Sequence, residues 1–302
     1  MKWSPLHIDN VTSSRVVYFN ETRKDVCERI GKAISIDCFP DSADSSYWLF
    51  ENNQWTKKYI NYKFDVIDAF HQQVIGLFET TDSNIIFRVK NNLIDGVIHF
   101  TDYENTAVYS NIYRNLNVFE TQLKEYLSNK GLTDSDFLDY LKFKKQKAYK
   151  KGKKSIEYYD KEINRFSDNM NVDSRPFSNL YLIDLLKFSV SSFTKKHQLG
   201  LDFLKEKTIV NNKIIHDEIN ELRNRVMHHR DISGQTLFKP HEFEYFKYFF
   251  HLNSVFKNSF NSLSLLVNEM ERERRTLVNS HRLEMISKFS DDEVVRFFYS
   301  LS

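Results

Sequence analysis

Seven glycines and four prolines in a chain of 302 residues leave few points at which the backbone must turn or a helix must stop. Long helices are therefore expected to dominate, at the expense of any turn-rich β architecture. Bulk for a core comes from 26 Phe and 16 Tyr. Hydrophobic residues at 41% and charged residues at 28% describe a folded, soluble chain rather than a disordered one. The length accommodates two modest domains or one large one.

The hydrophobic period changes near residue 107. Before it, strand-like and helix-like stretches alternate. Val16-Val17-Tyr18-Phe19 is a compact β-prone run, and residues 21–32 read as a short helix ending near Gly31. The clearest strands are 85–89 and 94–100, joined at Asn91-Asn92, a pair that tolerates positive φ and suits a hairpin. Thr101-Asp102 then offers an oxygen to start a helix. From about residue 110 the pattern is helical throughout. Helices are expected over 113–129, 134–151, 155–166, 178–195, 212–228, 241 to about 278, and 291–299. The expected fold class is α+β, a small α/β domain over 1–107 followed by an all-α helical bundle over 108–302.

Several function classes are excluded early. Formal net charge is +2, so bulk charge does not mark a nucleic-acid binder, and any polyanion site must come from local clustering. Cys27 and Cys38 are too few for a disulfide scaffold or a cysteine zinc site. His197, His216, His241, His251 and His281 show no metal-ligand spacing, so no metal is expected. The absence of a G-x-x-x-x-G-K-[ST] loop excludes a P-loop ATPase. MKWSPLHIDN lacks the apolar stretch of a secretory signal, and no apolar run reaches roughly 18 residues. A cytoplasmic protein without a membrane partner is expected.

The chemistry-bearing segment runs from Glu221 to Asp231 and contains Arg223-Asn224-x-x-x-His228. Ile215, Ile219, Leu222 and Val226 form one apolar stripe on its helix, with Arg223 at the edge and Asn224 and His228 directed away. Arg223 and His228 lie about 140° apart on a regular helix. Either the helix ends or bends before His228, or two chains share a composite cleft. Asp231, Gly234 and Pro240 mark a break soon afterwards. Cleaving RNA without a metal needs a proton acceptor for the 2′-OH, a donor for the leaving 5′-oxygen and positive charge on the phosphate. An imidazole and a guanidinium supply these, and Asn224 can orient either. A structural reading stands beside this one, since basic residues near a helix end also complement its dipole.

The motif resembles that of HEPN domains of the Abi-like and toxin ribonuclease type, over about residues 110–302. The resemblance implies a metal-independent endoribonuclease of a stress or anti-phage abortive-infection system. It implies Arg223, Asn224 and His228 as catalytic residues, and 2′,3′-cyclic phosphate and 5′-OH products. Arg225 and His229 are neighbours placed to bind RNA. Expected partners are RNA, a second copy of the chain in a homodimer, and an antitoxin or regulatory RNA. One group of HEPN toxins controlled by nucleotidyl transfer has Tyr two positions after the motif His. Arg230 stands there, so that control is not expected. The rival reading is a noncatalytic HEPN regulator that binds RNA or protein.

Gly96-Val97-Ile98-His99-Phe100-Thr101-Asp102 resembles the G-h-h-T-x-x-D signature of a CBS domain, set in a helix, hairpin, helix order over about residues 60–107. Residues 15–55 are a candidate degenerate first copy. The resemblance implies a nucleotide-sensing site at Gly96, His99 and Asp102, with Asp102 binding ribose hydroxyls of an adenine nucleotide. No other cofactor is implied. His99 replaces the hydroxyl residue of the family pattern. The structural alternatives are a strand irregularity at Gly96 and a helix cap at Asp102.

Eight lysines lie between 142 and 154, Lys150 and Lys151 among them, with Phe143 and Tyr149 interleaved. A basic strip with aromatic rings suits an RNA backbone. Acidic flanks at Asp134, Asp136, Asp139, Glu157, Asp160 and Glu162 suit a solvated surface helix equally well.

Overall fold

Two asparagine pairs set the β structure. The computed structural model describes residues 2–34, 36–62, 64, 66–150, 156–169, 176–228 and 243–299, and only the backbone of 34, 169, 228, 291, 295, 298 and 299. Asn52-Asn53 and Asn91-Asn92 all have φ between 51° and 65°, as a two-residue hairpin turn with both central residues left-handed requires. Helix α1 (Lys24–Ile34) precedes an antiparallel meander of β1 (Cys38–Pro40), β2 (Ser46–Glu51) and β3 (Gln54–Tyr59). Phe50 faces Trp55 across its second turn. After α2 (Gln72–Thr80), strands β4 (Ile85–Lys90) and β5 (Leu93–His99) form a separate antiparallel pair, with Ile86 opposite Ile98.

Seven helices follow among the described residues: α3 (Thr106–Asn129), α4 (Asp134–Lys150), α5 (Ile156–Asn169), α6 (Leu182–Ser189), α7 (Ile215–His228), α8 (Phe243–Ile286) and α9 (Asp291–Tyr299). The architecture is α+β. Asn105 opens α3 by accepting from the N–H groups of Ala107 and Val108, satisfying two donors that the first turn leaves free. Helices α3, α6, α7 and α8 pack on one another, and α4 packs on α5. No described helix is long and apolar enough to cross a membrane.

The main core runs through both halves of the chain. Phe78 and Tyr103 meet Phe246 at 5.4 and 4.9 Å between ring centroids, and Trp3 meets Phe256 and Phe260 at 5.5 and 5.3 Å. Side chains from before and after residue 107 thus bury one continuous apolar cluster. A smaller cluster of Cys38, Leu49, Ile85, Phe87 and Ile94 joins the meander to the β4–β5 hairpin.

Gly96 sits where the β4–β5 register shifts beside Arg88 and Val89. A Cβ there would stand 2.6 Å from Thr12 Cγ2 and 3.2 Å from Arg88 Nε. The glycine admits the Thr12-Ser13 segment, whose Ser13 exchanges backbone hydrogen bonds with Val97. Gly96→Ala is therefore expected to destabilise the chain by about 1–3 kcal/mol, as overpacking does. An unchanged urea midpoint would show that Thr12 yields without cost.

Candidate functional site

On α7, Ile219, Leu222 and Val226 are fully buried and Ile215 packs half-buried against the core. The stripe read from the sequence is the one that docks the helix. It directs the flanking polar residues to two different neighbours. Arg223, half-buried, donates from Nη1 to Asn224 Oδ1 at 3.3 Å, and its guanidinium lies 6.0 Å from the Tyr181 ring centroid at the start of α6. Arg225 turns the other way, donating to Glu221 at 3.0 Å and lying 5.0 Å from the Tyr248 ring of α8.

The helix does not end before His228, whose backbone is its last helical residue. Position 228 follows the line of Glu218, Glu221 and Arg225, about 140° around the axis from Arg223. The backbone of α7 thus sets positions 223 and 228 on different sides of the helix. The His228 side chain, His229, Lys151 and the break signalled at Asp231, Gly234 and Pro240 lie outside the described residues.

Beside that line, α7 and α8 share a polar network. Glu218 is fully buried, and its carboxylate accepts from Thr208 Oγ1 and Asn211 Nδ2 at 3.1 Å and from His251 Nε2 at 3.2 Å. Glu221 accepts from the Tyr248 hydroxyl at 2.6 Å and from Lys213 and Arg225 at 3.0 Å. Burial pushes the Glu221 carboxyl up, but these three donors outweigh it and hold the group below the usual carboxylate range.

Two residues that sequence reasoning missed stand next to Arg223. Tyr181, more than half exposed, carries the guanidinium of Arg165 5.3 Å from its centroid as well as that of Arg223. Tyr181, Arg165, Asn179 and Glu120 line a cavity of about 460 Å³. Two guanidinium groups on one exposed ring make a surface suited to a base and its phosphate. The contact joins α5, α6 and α7, and no local spacing announces it.

A cavity of about 490 Å³ lies in the N-terminal half, walled by apolar residues such as Val17, Ile36, Phe39 and Phe87. Its polar side is Ser13, Arg15, His99, Thr101, Asp102 and Glu104. Of the three residues read as a nucleotide site, the cavity brings His99 and Asp102 together. Gly96 does not line it. His99 and Asp102 also form a reciprocal cap on the short 3₁₀ turn Phe100–Tyr103, with Asp102 accepting from the His99 N–H at 2.7 Å.

Burial raises the Asp102 carboxyl to about 6 despite that hydrogen bond. A folded-state value above the unfolded one contributes stability that is complete below about pH 4 and lost as pH rises through 6. The ionised form thus costs on the order of 3 kcal/mol at neutral pH. Asp102→Asn, which keeps the accepting oxygen, is expected to raise unfolding free energy by about 1–2 kcal/mol at pH 7.5 and not at pH 4. Equal gains at both pH values would remove burial of the charge as the cause.

The lysine strip on α4 is largely engaged. Lys142 pairs with Asp139 at 3.1 Å and Lys145 with Asp160, while Lys144 and Lys147 lie over the rings of Tyr140 and Phe143. Lys150 is exposed at the helix end, near the exposed Tyr149. No family model, no curated protein and no solved structure matches this chain.

Proposed function

We propose that this chain is a metal-independent endoribonuclease of HEPN type, acting in the cytoplasm within a stress or anti-phage abortive-infection system. Its active unit is two copies of the chain, and an antitoxin or regulatory RNA is its natural restraint. The supporting observation is that the motif's arginines are used differently. Arg225 is engaged by Glu221, whereas no carboxylate among the described residues pairs with Arg223. The Arg223 charge, oriented by Asn224 and the Tyr181 ring, is left for a phosphate.

In the proposed reaction the ribose 2′-oxygen attacks phosphorus and gives its proton to a base. The P–O5′ bond breaks and the 5′-oxygen leaves with a proton, giving a 2′,3′-cyclic phosphate and a 5′-OH. His228 is the proton carrier, Arg223 binds the non-bridging oxygens, and Asn224 accepts from Arg223 to fix its fork. Because α7 stays helical through His228, the Arg223 of one chain works with the His228 of the other. The same divergence supports the rival reading, a noncatalytic HEPN module that binds RNA or protein. Incubating purified chain with total RNA in EDTA separates the two. Cyclic-phosphate fragments support the enzyme, and binding without fragments supports the module.

For the N-terminal half the reading is a CBS-like sensor of an adenine nucleotide. A carboxylate held against its burial in the wall of a cavity supports it. ATP and AMP are expected to bind by calorimetry and to lose affinity in Asp102→Ala. Binding unchanged by that substitution ends the sensor reading.

A further inference from the structure

The face of α8 that fills the core continues past the end of the core. Phe249, Phe256, Phe260 and Leu263 are buried, and Val267 and Met270 pack half-buried at its margin. At 100° per residue the same face continues through Arg274, Leu277, Val278, His281 and Met285, all within an arc of about 100°. Every residue from Glu271 to Met285 is exposed. Leu277 is 63% exposed, Val278 43% and Met285 40%. The helix projects for about 24 Å beyond its support. A bare stretch this short is marginal as a helix in water, so its apolar line has a function that burial would complete.

The order along that line identifies the occupant. Met270, Arg274, Leu277, Val278, His281 and Met285 read nearly the same in both directions, with intervals of four, three, one, three and four. We infer that the exposed arm of α8 pairs antiparallel with the arm of a second copy, about a two-fold axis between Leu277 and Val278. Leu277 then packs on Val278 of the second copy, Met270 on Met285, and Arg274 donates to the imidazole of His281. Glu271 and Arg282 lie on one flank of the line, and an antiparallel pair sets like flanks together, so each Glu271 meets an Arg282 of the other chain. Parallel pairing instead opposes Arg274 to its own copy. The acidic opposite flank, Glu269, Glu273 and Glu284, keeps the association moderate.

This contact is independent of the ribonuclease reading. Tyr248 and His251, through which α8 hydrogen-bonds to α7, lie near the start of α8, so arm pairing leaves the motif end of α7 to a separate contact. Sedimentation of the full chain without RNA is expected to show concentration-dependent pairing. The double substitution Leu277→Glu and Val278→Glu, on exposed positions, is expected to weaken it at least about a hundredfold with an unchanged circular dichroism spectrum. Cys27 and Cys38 are buried, so a short bismaleimide reads introduced thiols. Met270→Cys mixed with Met285→Cys should crosslink, and neither variant alone should. Self-crosslinking of Met270→Cys, a chain monomeric at every concentration, or pairing indifferent to the double substitution would overturn the inference.

Discussion

Alanine at Arg223 or at His228 is expected to lower the rate of RNA cleavage by about 10³-fold each, with RNA affinity changed by less than about tenfold. The size follows from the roles. In the proposed role the guanidinium meets one negative charge in the bound diester and a second as the phosphorane forms, so about 3–4 kcal/mol of its effect falls on the rate and a smaller part on ground-state binding. Arg223→Lys keeps the charge but loses the fork, and about a tenth of wild-type activity is expected. Arg225→Ala removes one of the three donors to Glu221 and leaves those of Lys213 and Tyr248 in place, so its principal effect is a modest one on stability. A site shared between two chains, as proposed, makes a sharper demand. Mixing inactive Arg223→Ala with inactive His228→Ala chains yields hybrid pairs in which one of two sites is whole. About a quarter of wild-type activity should return after exchange of partners. No recovery in a mixture proven to exchange would exclude a site shared between chains.

The parts of this site that the sequence revealed are those governed by one element. The spacing of Ile219, Leu222 and Val226 is a property of a single helix and locates α7 and its docking face. The Asn91-Asn92 turn is equally local. Asn52-Asn53 is the same signal, and β1–β3 went unnoticed because Trp48, Leu49 and Phe50 run together instead of alternating. The expected strand at 16–19 forms none. Phe19 stacks on Trp48 at 4.7 Å and its N–H donates to the Pro40 carbonyl, so the run serves a tertiary contact. Helix α1 continues past Gly31 to Ile34, because that glycine admits the Ile36 carbonyl, 2.3 Å from where its Cβ would stand. The single helix expected over 178–195 divides into α6 and a 3₁₀ turn over Ser192–His197, with Thr194 donating back to the Ser189 carbonyl at 2.9 Å. Tyr181 and Arg165 join Arg223 only through the packing of three helices, and nothing in their neighbourhood in sequence encodes it. The far end of α8, expected near residue 278, reaches Ile286, since the stripe carries on where the core does not.

Glu218→Ala is expected to remove about 3–5 kcal/mol of unfolding free energy, a large effect for one side chain. The carboxylate is fully buried at the start of α7 and is the acceptor for three donors from outside its own helix, Thr208, Asn211 and His251. Deleting it takes that acceptor from Asn211 and His251 and leaves the Thr208 hydroxyl only the Lys213 carbonyl at 3.4 Å, and each buried, unmade hydrogen bond costs about 1–3 kcal/mol. Glu218→Gln preserves the volume but presents an amide group to donors, so about half the loss is expected. Thr208 and Asn211 belong to the loop whose Thr208 N–H donates to Lys213 and whose Lys207 bridges Ile214. His251 belongs to α8. The carboxylate therefore ties the entry of α7 to both neighbours, and its loss should raise hydrogen exchange at residues 206–214 before exchange rises in α3. Urea unfolding measures the energy, with a lower midpoint and an unchanged slope if the damage is confined to the native state. A midpoint that hardly moves would mean that water or the Lys213 carbonyl serves the donors left behind, and the network would then orient α7 without stabilising it.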